Sequence, residues 1–349
     1  MAIVRIYNNT CNGGGGCVCV SPIMVLGTGA TSTERCGAFN SASGYYSMAW
    51  GNCAIASGNL STASGYKTTA SGSYSTASGD NTTASSDFST ASGIYTTASG
   101  SLSTASGLCT TASGSFSTAS SYKTTANGDY STASGRYTTA SSCLSSVHNG
   151  WYNYIGNATC SAYANYGVVV NGNGNNTTGG TWAGTYWSVA PTPVDSGYHS
   201  FIGNGFQNSA SGLYSSVLNG YVTTASGDFS TASGLITTAS GNFSTASGSS
   251  SIASGIYSFA SGLCTTASGS YSTAFGSQTT ASGLYSFVYG FNSIDNGNTF
   301  AYVFGENIVA DRIKTLFVNN LSIKNAPTSS AGLPSGSVWS NSGVLNIVP

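Results

Sequence analysis

From Ala38 to Asn149 apolar and polar residues recur every seven positions, giving sixteen heptads in unbroken register, most of them ending Ala-Ser-Gly. A second run keeps the same register for eleven heptads from Tyr221 to Gly297, preceded by two looser ones from Phe206. Within the heptad, Ser-Thr-Ala-Ser alternates with period two, the pattern of a short strand. Gly at position seven predicts a corner where positive φ is needed. A helical heptad would carry large apolar residues at two positions; Gly at every seventh residue and Ser or Thr at most others exclude a coiled coil. S-type heptads such as NLSTASG alternate with T-type heptads such as YKTTASG, so the repeating unit is fourteen residues. The prediction is an all-β parallel solenoid, with two short strands and two turns per coil.

Positions three and five share one face and are nearly always Ser or Thr and Ala, which suits a thin interior between two closely spaced sheets. The opposite parity would turn that face to solvent. Val147, Val217 and Val288 replace Ala at position five near the ends of runs. Thr69, Thr83, Thr97, Thr111, Thr125 and Thr139 then form an outward column.

Outward position two separates the two edges of the roll. In S-type heptads it reads Leu60, Tyr74, Phe88, Leu102, Phe116 and Tyr130, then Phe229, Phe243, Tyr257, Tyr271 and Tyr285 in the second run. In T-type heptads it reads Lys67, Asn81, Tyr95, Cys109, Lys123 and Tyr137, then Val222, Ile236, Ser250, Cys264, Gln278 and Asn292. Each aromatic ring can bury roughly 150–250 Å². A bare column of them would exceed the apolar patch a monomer tolerates. The S-type column is therefore predicted to be a subunit interface, covered by identical chains around an axis parallel to the solenoid.

Composition sharpens this picture. Only 5% of the 349 residues are charged, and eight Lys and Arg stand scattered against nine Asp and Glu. No basic patch is available for a phosphate backbone, so nucleic acid is excluded as a partner. The low charge also argues against a disordered chain. No run of about 18 apolar residues occurs and the start, MAIVRIYNNTCNGGGG, has no stretch of signal-peptide length. The expectation is a soluble protein without membrane insertion.

The G-x-x-S-x-A-x-G spacing across 38–149 and 206–297 resembles the head repeats of trimeric autotransporter adhesins. That resemblance implies a left-handed parallel β-roll associated as a homotrimer. The same repeat is common in fibre and virion surface proteins of bacteriophages and large viruses. Residues 306–348, with N-L-x-I followed by P-T-S-x-A-G-L-P-S-G-x-x-W, are similar to the endings of such viral fibres, which close with a short hairpin. The long signal peptide, coiled-coil stalk and C-terminal membrane barrel of a secreted autotransporter are not recognised.

Five regions follow: a Gly- and Cys-rich N-terminal segment (1–37) for attachment or capping, the first run (38–149), an aromatic and Asn-rich insertion (150–205), the second run (206–297), and a C-terminal strand and hairpin cap (298–349). The insertion holds Trp151, Trp182 and Trp187. Rings interleaved with Asn and Ser suit sugar recognition, because pyranose faces stack on rings while amides bond hydroxyls. The same rings would equally serve as the core of a small insertion. Trp151, Trp182, Trp187 and His199 are the candidate ligand-binding residues.

No catalytic, cofactor or metal site is predicted. Asp195, His199 and Ser200 crowd into six residues, which is not how a triad is recognised. Asp80, Asp87, Asp129 and Asp228 sit singly at position one, as turn residues do. Cys11, Cys17, Cys19 and Cys36 lack paired zinc spacing, leaving disulfides as the alternative there. Cys53, Cys109 and Cys264 stand at position two, where plain packing is expected.

The expectation is a non-enzymatic viral fibre or surface-spike protein, on a bacteriophage for preference. It would stand at the virion surface, with other virion proteins as partners, and bind a host-surface glycan or receptor multivalently. Two alternatives stay open: a self-assembling extracellular filament subunit stacked end to end, and an ice-binding solenoid using the Thr column.

Overall fold

The computed structural model describes residues 24–26, 33–35, 39–156, 166–178, 181–182, 187–190, 192–193, 197–321, 326–341 and 344–348. Among these there is no helix, and strands stack into a parallel β-solenoid of about 18 turns. A regular turn carries one five-residue strand, such as Thr90–Ile94, and one two-residue strand, such as Thr97–Ala98. Pairing is between like residues: Thr90 stands beside Thr76 on one side and Thr104 on the other, and Thr97 beside Thr83 and Thr111.

The interior is as narrow as the alternation implies. Beyond Asn40, positions three and five are buried throughout the runs: Ser61 with Ala63, Thr68 with Ala70. The Oγ of Ser61 donates to the carbonyl of Gly58 at 2.7 Å, pinning the turn that precedes its strand. Position five also admits Asp295, a buried carboxylate in the last heptad. It accepts from the main-chain N–H of Ser282 (2.9 Å) and of Gly283 (2.7 Å) and from the Ser282 hydroxyl (2.8 Å), closing a turn that has no alanine to fill it.

The corners differ from the sequence expectation. Positive φ belongs above all to position two, where Leu60 (φ 53°), Lys67 (φ 49°) and Tyr74 (φ 59°) adopt left-handed backbone, as do their counterparts in every heptad of the runs. Gly65, at the end of an S-type heptad, has φ 129°, but Gly58, at the end of a T-type heptad, is not left-handed. Its role is close approach: a Cβ on Gly58 would lie 2.0 Å from the carbonyl oxygen of Gly72 in the next turn. The left-handed conformation costs a non-glycine residue about 1–2 kcal/mol, so the roll carries a regular strain at both edges.

The sevens stop at Asn149, but the wide sheet does not. Its 20 strands run through Ser146–Val147, Val168–Val169 and Phe201–Phe206 into the second run and on to Leu316–Val318. The narrow strands, by contrast, form two separate sheets of nine and six strands. Across this interruption the core widens, with Val147, Ile155, Val169, Ile202 and Val217 buried in place of alanine.

Three buried asparagines replace inward Thr in the same stretch. Asn153, Asn175 and Asn208 each end an Asn-Gly-x-x-Asn sequence and donate from the side-chain amide to the carbonyl of the first asparagine, Asn149, Asn171 and Asn204, at 2.9–3.1 Å. Their side-chain oxygens accept main-chain N–H groups of the following turn: Asn153 from Asn175, Asn175 from Asn208, and Asn208 from Thr223. The polar groups that an irregular turn would leave unpaired are thereby satisfied.

At the ends, Met24–Leu26 pairs antiparallel with Thr33–Arg35, which joins the wide sheet beside Met48–Asn52. Near the C-terminus Val338–Asn341 and Val344–Ile347 form an antiparallel hairpin.

Candidate functional site

Two opposite edges of the roll carry chemistry, and position two places both. On the S-type edge, left-handed backbone turns each ring outward and registers it over the ring of the next turn. Tyr74 and Phe88 stack at 4.8 Å, Phe116 and Tyr130 at 4.7 Å. In the second half the stack is continuous: Tyr166, His199, Tyr214, Phe229, Phe243, Tyr257, Tyr271, Tyr285 and Phe300, with centroids 4.5–5.0 Å apart. Leu60 and Leu102 occupy the same column in the first run, and its members are about half exposed, Phe88 at 54%. An aromatic contact of this kind contributes about 0.5–1.5 kcal/mol, which does no more than balance the strain at its corner.

His199 thus belongs to this ladder, between Tyr166 at 4.8 Å and Tyr214 at 4.5 Å. Of the insertion's tryptophans, Trp151 lies at the opposite edge from His199. Trp182 and Trp187 face each other across two short antiparallel strands, Thr181–Trp182 and Trp187–Val189, and their side chains lie outside the described residues. Asp195 also lies outside them, and Ser200 is buried.

On the T-type edge, two cations and four rings from three successive turns lie together. Arg136 lies over Trp151 (4.4 Å to the ring centre) and beside Tyr122 (5.3 Å) and Tyr137 (5.6 Å). Lys123 lies 5.0 Å from the Tyr137 ring and 5.6 Å from that of Tyr122, and its ammonium donates to the Tyr137 hydroxyl at 3.5 Å. Tyr152 stacks on Tyr137 at 4.6 Å. The cations are exposed and the rings half-buried. Hydrogen bonding with Tyr122 holds the Tyr137 phenol below its ordinary range, and hydrogen bonding with Tyr137 holds the Lys123 ammonium above its own. Burial raises the Tyr152 phenol.

Sequence reasoning missed this cluster because it read position two alone. Tyr122 and Arg136 end their wide strands and Trp151 makes an isolated bridge beside Arg136, each one residue before a corner. A second apolar patch was also missed, where Phe275, Tyr289 and Phe304 replace Ser on the outer face of the wide sheet, Phe275 and Tyr289 stacking at 5.5 Å. Its signal was legible as TAFG, VYGF and VFGE.

The described residues contain no group of three or more His, Cys, Asp or Glu side chains that could hold a metal ion. Cys53, Cys109 and Cys264 are free, and Cys143 is disulfide-bonded. The cysteines at 11, 17, 19 and 36 lie outside the described residues.

Residues 56–82, 70–93, 239–263 and 267–293 match the YadA head domain repeat. No curated protein matches the chain. The matched segments lie in the regular parts of both runs, where the outward rings stand in register. The matched stretches of both runs are similar to the head-repeat β-roll of trimeric autotransporter adhesins.

Proposed function

We propose that the protein is a homotrimeric fibre or surface spike of a virus, a bacteriophage, attaching to a host-surface glycan or receptor. The head repeat connects the chain with adhesin-like attachment at an exposed surface. In this reading the fourteen-residue coil sets reach, and the insertion with Trp182 and Trp187 gives the specificity that a repeated surface cannot. Three copies around the axis would raise weak single-site contacts by roughly 10²–10⁴ through avidity. Viral origin is supported by the likeness of residues 306–348 to viral fibre endings.

One observation carries the trimer: the half-exposed S-type ladder, from Tyr74 and Phe88 through Phe300, which offers every turn of the roll the same apolar edge. Such an edge is self-complementary around an axis parallel to the ladder. Light scattering of the purified protein is expected to give a discrete trimer. Replacing both Phe88 and Phe116 by Asp sets unpaired charges in the interface and is expected to dissociate it. A monomeric wild type, or an unchanged oligomer in the double variant, would overturn the trimer. Open polymers of undefined length would favour the filament subunit instead.

A further inference from the structure

We infer that the T-type edge at Tyr122, Lys123, Arg136, Tyr137 and Trp151 is a binding site for a sugar bearing an oxyanion, a carboxylate or a sulfate. This deepens the attachment reading and rests on it, since it names a ligand class and a second place on the roll.

Four observations converge. First, Lys123 and Arg136 both flank the Tyr137 ring, at 5.0 and 5.6 Å, so two cations share one ring in a protein with only eight Lys and Arg. Second, among the described residues the one ion pair is Arg312–Asp311, far along the chain, so neither cation here has a carboxylate partner. An oxyanion in reach of both cations is attracted by each of them. Third, the cations are interleaved with rings. The aromatic faces of Tyr122, Tyr137 and Trp151 suit the apolar CH face of a pyranose, and the guanidinium forks bidentately onto a carboxylate or sulfate. Three turns at about 4.8 Å spacing give a strip of roughly 10 Å, the reach of one or two sugar units. Fourth, the cluster lies on the edge opposite the aromatic ladder, so association through the ladder leaves it facing solvent.

The rest of that edge supplies the contrast. Lys67 lies over a single ring, Tyr66, at 5.2 Å, with Asn81 and not a second cation in the next turn. It therefore serves as a control for charge without a built site.

The test is binding of the full-length protein to immobilised colominic acid, which carries carboxylates, to heparin, which carries sulfates, and to neutral dextran. Wild type is expected to bind at least one acidic polymer and not dextran, and to release it as salt rises from about 0.05 to 0.5 M. Which polymer binds identifies the oxyanion. The double variant Lys123→Gln, Arg136→Gln is expected to lose at least about tenfold in affinity, two charge-assisted hydrogen bonds being removed. Lys67→Gln is expected to bind like wild type. Light scattering and melting temperature check that the double variant is folded, and the single variant Lys123→Gln, which leaves Arg136 stacked on Trp151, gives an intermediate loss if the fold of the double variant suffers. Wild type that binds neither acidic polymer, equal binding to dextran, equal loss in Lys67→Gln, or undiminished binding by a folded double variant would overturn the site. A trimer indifferent to all three polymers overturns this inference and leaves the attachment reading; a monomeric wild type that binds an acidic polymer overturns the trimer and leaves this site.

Discussion

The main-chain N–H of Asn208 donates to the side-chain oxygen of Asn175 across 3.1 Å, although 33 residues separate the two in sequence. This bond and its neighbours hold the irregular turns in line with the regular ones. The Asn208 side-chain amide also donates to the carbonyls of Asn204 and Gly220, so the residue, through main chain and side chain together, ties together three turns. Replacing it with Leu leaves buried main-chain groups unpaired, each costing about 1–3 kcal/mol. Thermal or denaturant unfolding is expected to show Asn208→Leu destabilised by about 3 kcal/mol, and Asn175→Leu similarly. A loss below about 0.5 kcal/mol in both would show that the asparagines are not what joins the two runs.

Strain at the corners can be relieved where it is greatest. Ile236 is β-branched, has φ 54° and is 52% exposed, so it adopts left-handed backbone with little packing in return. Asn81 and Asn292 fill the equivalent corner with a residue that tolerates it. Ile236→Asn is expected to stabilise by about 1 kcal/mol, measured as a raised melting temperature at unchanged oligomeric state. A lowered one would mean that the Ile236 side chain is buried in the assembly.

Asp295 makes the second run sensitive to acid. Burial works to raise its pKa, but hydrogen bonding with Ser286, Ser282 and Gly283 outweighs it and the carboxyl titrates below its ordinary value. With the folded pKa lowered, the unfolded chain takes up the proton first as pH falls. The stabilisation is therefore complete above about pH 4 and is lost as pH drops through the folded value. Melting curves between pH 7 and pH 2.5 are expected to fall more steeply for wild type than for Asp295→Asn. That variant should be less stable at pH 7, because its amide turns an N–H toward the N–H of Gly283. Parallel curves would remove Asp295 as the cause.

What the sequence made legible is what repeats. Period two within period seven identified the strands, the inward face and the aromatic edge. It failed where a residue's role is not its usual one. Left-handed backbone is filled by Tyr, Phe, Leu and Lys, residues that carry no turn signal, while the conspicuous Gly58 is there for the approach of Gly72. It failed also where spacing drifts. Asn-Gly-x-x-Asn occurs three times between 149 and 208, but at unequal intervals, and so escaped a count in sevens. His199 was separated from its ladder for the same reason. Asp295 stands at a position reserved for alanine, and only its ring of donors explains it. The cation and ring cluster needed two adjacent positions to be read together across three turns.

Among the described residues a single wide sheet runs through both runs, whereas the narrow sheet is broken between Tyr154–Ile155 and Ser209–Ala210. Because the ladder hydrogen bonds run along the axis, a pull on the ends loads them directly, one turn after another. In the regular runs two sheets share the load; at the break it falls on the wide sheet and the asparagines beside it. Under tension the protein is thus a chain with one designated weak link, and its first extension under force should begin between the two runs, sparing the aromatic stacks beyond them.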